Sequence, residues 1–144
     1  NELQASLGLL NLELIDDDRL KRKKLKSRYI EHFKNIDGAE ILPDTPGATN
    51  NYQYIVLRIK KEGFGYSRDE IYNKLRQYNV FPRKYFFPLC SEMKHFRHLR
   101  SSKPENLPIA HEVANEGLCL PIYGALQSSA VDRICEVILE TRTG

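Results

Sequence analysis

The chain has 144 residues, 41% of them apolar and 28% charged, with a net charge of +3. That length and balance fit one globular domain with a sizeable core and exclude a low-complexity or disordered segment. No run approaches the roughly 20 apolar residues of a membrane span, and three scattered cysteines without a C-x-x-C pair fit reduced thiols better than a disulfide framework.

Leu3, Leu7, Leu10 and Leu14 fall on one helical face and predict an amphipathic helix over residues 2–15. No cap precedes it, an opening expected of a piece cut from a longer protein. Asp16, Asp17 and Asp18 then restart or continue the helix, and Leu25, Tyr29, Phe33 and Ile36 give a second stripe ending at Asp37-Gly38, with Gly38 as the cap. Six of the eight residues from Lys21 to Arg28 are basic. No aromatic residue interleaves with them, and acidic residues upstream suit the helix dipole, so the run reads as a solvated helix face rather than a nucleic-acid site.

A short strand is expected at residues 39–42, a Pro/Gly/Asn-rich loop at 43–51, and a strand at 52–59 with Ile55, Leu57 and Ile59 on one face. Gly63-Phe64-Gly65 reads as a turn. Ser67 and Glu70 form a capping box that opens a helix carrying Ile71, Leu75 and Tyr78 and stopping near Asn79. Residues 79–87 look extended and 90–105 form a polar loop. Pro108 sits in the first turn of a helix ended by Gly117, residues 118–123 form a strand, and Ser128 or Ser129 caps a last helix striped by Val131, Ile134, Cys135 and Ile138. The order helix, helix, strand, strand, helix, strand, helix, strand, helix predicts an α+β domain, a small sheet covered on one side and preceded by long connector helices. Residues 1–37 are the connector and 38–144 the domain.

His95 and His98 are spaced for one helical face, but no third ligand stands near, so no metal site is assigned. Cys90 lacks a base held beside it and reads as a small packed thiol, and no catalytic residue is nominated. The unusual segment is Arg83-Lys84-Tyr85-Phe86-Phe87-Pro88-Leu89. Two cations beside three aromatics could hold a phosphorylated, ring-bearing ligand, and the same residues could equally be an edge strand with half-buried aromatics.

E-L-Q-A-S-L-G-L-L-N-L-E (2–13) followed by a basic helix resembles the corresponding part of the DegT/DnrJ/EryC1/StrS sugar aminotransferases. The resemblance continues through the strand at 52–59, the helix from Ser67, R-K-Y-F-F-P-L (83–89), L-P-I-A (107–110), L-C-L-P-I-Y (118–123) and V-D-R-I (131–134). It implies the small C-terminal domain of the aspartate-aminotransferase fold (fold type I). It also implies an enzyme that uses pyridoxal phosphate (PLP) to move an amino group from glutamate to a keto-sugar on a nucleotide. The Schiff-base lysine would lie in the family's large N-terminal domain, so no cofactor-binding residue is nominated here and the chain alone is expected to be inactive. Arg83 and Lys84 become candidates for the diphosphate and Tyr85 for the sugar pocket. R-K-Y-F-F-P-L looks most like members acting at the sugar's 4-position. Cys90 stands where many members place a His, and Gly124 where a Pro is common. A cytoplasmic homodimer, with no nucleic-acid or membrane partner, is the implied setting. Two alternatives remain: a non-catalytic relative acting as a sensor or binding module, and an interaction domain using the basic helix.

Overall fold

The computed structural model describes residues 1–143. It opens with a single helix, α1 (Glu2–Phe33), where two helices were expected. The acidic cluster does not break it because Asp16 pairs with Arg19 and Asp18 with Arg22, the spacings that stabilise a helix surface. A cap is also present: Asn1 Oδ1 accepts the Gln4 amide at 3.0 Å, and Gln4 reaches back to the Asn1 amine at 2.9 Å. At the other end Lys34 is the cap residue, and Asn35, with φ +62°, holds the left-handed position expected of Gly38.

The sheet has four antiparallel strands in the order β1-β2-β4-β3: β1 (Ala39–Ile41), β2 (Ile55–Ile59), β3 (Arg83–Lys84) and β4 (Gly117–Leu120). Strand alternation puts Ile55, Leu57, Ile59, Leu118 and Leu120 on one face. There they meet Leu25, Tyr29 and Phe33 of α1, Ile71 and Leu75 of α3 (Arg68–Gln77), and Val131, Ile134 and Ile138 of α5 (Ser128–Thr143) in one core. The second half of α1 is therefore core, while residues 1–17 are exposed all round, including Leu3, Leu7, Leu10 and Leu14.

Coverage extends to the other face, contrary to the one-sided expectation. Arg58 points there and pairs with Glu112 and Glu116 of α4 (Pro108–Glu116), which lies across that end of the sheet. Residues 61–65 are a one-turn helix, α2 (Lys61–Phe64), closed by Gly65 at φ +95°. α3 starts at the expected capping box and ends in a Schellman motif. The Val80 amide bonds to the Leu75 carbonyl and the Asn79 amide to that of Arg76, with Asn79 at φ +59°. Tyr78 ends up exposed. α5 begins one residue ahead of the expected cap, with the Gln127 carbonyl accepting the first bond, from Val131.

Candidate functional site

The Schellman motif turns the chain back along the sheet, and Pro82, which has no amide to donate, delays pairing until Arg83. Only Arg83 and Lys84 form β3, so the expected extended stretch shrinks to two residues. Arg83 pairs with Cys119 and Lys84 with Leu118. Since Leu118 faces the core, Lys84 lies on the core side of the edge and Arg83 on the opposite side. One more bond, from the Tyr85 amide to the Gly117 carbonyl at 3.2 Å, carries the edge onward. Gly117 permits that approach, because a Cβ there would stand 2.9 Å from Tyr85 O.

The three predicted residues are thus divided. Lys84 Nζ is 2.9 Å from Asp69 Oδ1 and stacks over Tyr72 and Phe87, so its charge is matched within the fold. Tyr85 is half-buried. Its ring lies 5.8 Å from Tyr54 and 4.3 Å from Phe86, and Tyr54 meets Phe86 edge-on at 5.9 Å. Arg83 is exposed, and among the described residues its guanidinium has no ion-pair partner. It lines a cleft of about 340 Å³ with Gln53, Tyr54, Phe81, Pro121 and Tyr123, floored by Cys119 and Leu120. On the far side of the aromatic trio, Tyr85, Phe86 and Leu89 face α4 across an apolar groove of about 420 Å³.

A free guanidinium among aromatic faces suits an anion attached to rings. The cleft offers phenols and a buried thiol in place of carboxylates, imidazoles or amines. Among the described residues no Asp, Glu, His or Lys lines it, and burial pushes the Cys119 thiol up to about 11, only partly offset by the Arg83 charge. Cys119 is therefore a neutral thiol near pH 7. Cys90 is exposed rather than packed, and His95 and His98 lie on exposed turns rather than a shared helical face. Among the described residues no group of three His, Cys, Asp or Glu is placed to hold a metal. Nor is any helix long and apolar enough to cross a membrane.

Tyr54 and Tyr123 were not nominated from sequence, although alternation with Ile55, Leu57 and Ile59 puts Tyr54 on the outer face. The basic run of α1 is also less solvated than expected. Lys26 is 6% exposed and ion-paired to Asp44, while Arg28 binds Asp132 in bidentate fashion.

Residues 1–139 match the model of the DegT/DnrJ/EryC1/StrS aminotransferase family. The chain belongs to that family. It is 40% identical over 139 residues to the dTDP-4-amino-4,6-dideoxy-D-glucose transaminase of Escherichia coli, covering 96% of this chain and 37% of the relative. A transaminase of the same name from Shigella dysenteriae is 30% identical, over 99% of this chain and 38% of its own length. The chain thus spans well under half of the curated relatives it matches. The fold superposes on DesI, solved in the presence of its TDP-sugar product, with a TM-score of 0.88 at 24% identity, covering 96% of this chain and 35% of that one. DesV of S. venezuelae superposes with the same TM-score at 18% identity, over 99% of this chain and 37% of its own.

The DegT/DnrJ/EryC1/StrS aminotransferases are PLP-dependent sugar aminotransferases. Within this chain the Arg83 cleft offers no amine for covalent attachment of that cofactor. Among the described residues no lysine lines the Arg83 cleft, and the one buried lysine, Lys26, is ion-paired to Asp44. No step through the cofactor is therefore assigned to this chain.

Proposed function

We propose that the chain is the nucleotide-sugar-binding portion of a PLP-dependent aminotransferase that transfers an amino group from glutamate to the 4-position of a nucleotide-linked 4-keto-6-deoxy sugar. The observation that carries this reading is the unpaired Arg83 guanidinium in a cleft walled by Tyr54, Phe81 and Tyr123. Arg83 neutralises the diphosphate, the aromatic faces hold the rings, and Tyr85 borders the sugar pocket through its contact with Tyr54. Lys84 is the weaker diphosphate ligand because Asp69 already occupies it.

The exposed leucines of α1's first half are the connector to the remainder of the protein, which supplies PLP and the Schiff-base lysine. The whole protein works as a cytoplasmic homodimer, and the chain by itself does not transaminate. Support comes from the 40% identity to a dTDP-4-amino-4,6-dideoxy-D-glucose transaminase, of which this chain covers 37%.

The test is transamination of dTDP-4-keto-6-deoxyglucose by the full-length protein with PLP and glutamate. Activity with an Arg83→Gln loss of about tenfold in kcat/KM, about 1.4 kcal/mol, supports the reading. Turnover of the same pair by residues 1–144 alone would sink the claim that this portion only binds.

A further inference from the structure

We propose that Arg68 is a positioning residue for the nucleotide-sugar cleft, holding the 83–87 segment in the shape that presents Arg83 and Tyr85. This inference rests on the function proposed above. Arg68 is the first residue of α3, yet its side chain is only 2% exposed. A cation at a helix N-terminus opposes the helix dipole, so stabilising α3 does not explain it.

Its contacts instead converge on one stretch of chain. Nη1 donates to the Ala114 and Gly117 carbonyls, each at 3.0 Å. The Gly117 carbonyl is also the acceptor for the Tyr85 amide. Nε donates to Asp69 Oδ1 at 2.5 Å, and the same oxygen accepts from Lys84 Nζ. The guanidinium carbon lies 5.7 Å from the centroid of the Phe87 ring. Arg68 therefore reaches Lys84 through Asp69, Tyr85 through a shared carbonyl, and Phe87 directly. Arg83 directly precedes the residues held in this way, and among the described residues its own charge has no ion-pair partner, which leaves it available.

The planar fork explains why arginine stands here. A lysine could keep Asp69 but could not also bond two carbonyls and stack on Phe87. An apolar residue could fill the space but would leave the Ala114 and Gly117 carbonyls one donor short in a buried site.

The test has two arms, both on the full-length protein. In steady-state transamination of dTDP-4-keto-6-deoxyglucose with glutamate, Arg68→Gln is expected to raise KM for the nucleotide sugar about tenfold and to move KM for glutamate less than about twofold. Because both residues act through one segment, Arg68→Gln adds less than about twofold on top of Arg83→Gln. Arg68→Lys keeps most of the defect. Full multiplication of the two effects, or an equal rise in both KM values, overturns the proposal.

In the second arm, hydrogen exchange is followed by mass spectrometry. Arg68→Gln is expected to speed exchange at the Tyr85 amide about tenfold or more while the β2 amides keep their protection. Unchanged exchange at Tyr85 overturns the proposal whatever the kinetics show. Faster exchange together with a silent Arg83→Gln instead sinks the cleft reading and leaves the hold of Arg68 on the segment standing. Should Arg68→Gln fail to fold, Asp69→Ala takes its place, since Asp69 is exposed and its truncation removes the oxygen that accepts from both Lys84 Nζ and Arg68 Nε. Unaltered exchange in that variant overturns the proposal too.

Discussion

Arg83 and Cys119 stand opposite each other across the β3–β4 ladder, on the sheet face away from the core. One is the exposed cation of the cleft and the other a buried thiol in its floor. Burial raises the thiol to about 11, and Arg83 pulls it part of the way back. Removing the cation should raise it further.

The expected outcome is that iodoacetamide labels the exposed Cys90 at neutral pH and reaches Cys119 only as the pH climbs toward about 11. Arg83→Gln shifts the Cys119 profile to still higher pH. The sign for stability follows from the raised value: protection by this thiol is complete below its ordinary 9.0 and is lost as the pH rises through about 11. Peptide-resolved mass spectrometry across a pH series checks the order. Labelling of Cys119 before Cys90 would contradict it.

Asp132 ties α5 to α1. Arg28 grips both of its oxygens, at 2.6 and 2.8 Å, and His32 Nε2 lies 2.8 Å away. The Arg28 bonds first, then that of His32, hold its carboxyl down at about 2, below the ordinary 3.8. For a lowered carboxylate the stability gain is present above the ordinary value and lost as the pH falls through the folded one. Asp132→Asn should therefore lower Tm at pH 7 and make progressively less difference between pH 3.8 and about 2. Because the carboxylate is only partly buried and Arg28 is exposed, salt should shrink the effect. Melting curves over pH and salt decide, and a difference that persists at pH 2 would rule this origin out.

What could be read along the chain was what local spacing encodes. The capping box at Ser67, the odd-numbered core face of β2 and the stripe of α5 all emerged where expected. Tertiary placement escaped. Lys26 looked like one more member of a basic run, yet it lies three residues before Tyr29 and seven before Phe33, on the buried face. Arg68 lies between the two capping-box residues Ser67 and Glu70, and nothing local tells that the Ala114 and Gly117 carbonyls arrive beside it. Arg83 and Lys84 were nominated as a pair, but a two-residue strand necessarily sends them to opposite faces. Family resemblance was legible because it depends on residue order over the whole chain, whereas the cleft depends on a loop, a turn and two strand edges meeting.

Lys26 and Asp44 make an asymmetric pair, the ammonium buried and the carboxylate 42% exposed. Asp44 also accepts from Asn50 at 2.6 Å, which anchors the 43–51 loop. Removing Asp44 strands a buried charge, while replacing Lys26 by a side chain of similar length and no charge does not. Asp44→Ala should therefore cost on the order of 2 kcal/mol and Lys26→Met distinctly less. Urea unfolding of both variants tests the asymmetry, and equal losses would contradict it.

Gly38 and Gly65 both require left-handed backbone, at φ +71° and +95°, but only one is crowded. A Cβ at Gly38 would stand 2.1 Å from the Phe64 amide nitrogen, 2.6 Å from the Gly63 carbonyl carbon and 2.7 Å from Lys60 O. At Gly65 nothing lies within 4 Å. The Lys60 amide donates to the Gly38 carbonyl at 2.7 Å, so this contact fastens the turn before β1 to the end of β2. Gly65→Ala should cost only the backbone term, on the order of 1 kcal/mol. Gly38→Ala should cost about 2 kcal/mol more, since backbone rather than a flexible side chain must move. Chemical denaturation of the two variants side by side isolates the close approach from the dihedral preference. Equal destabilisation would show that the turn relaxes without loss and that the glycine at 38 is there for its dihedral angle alone.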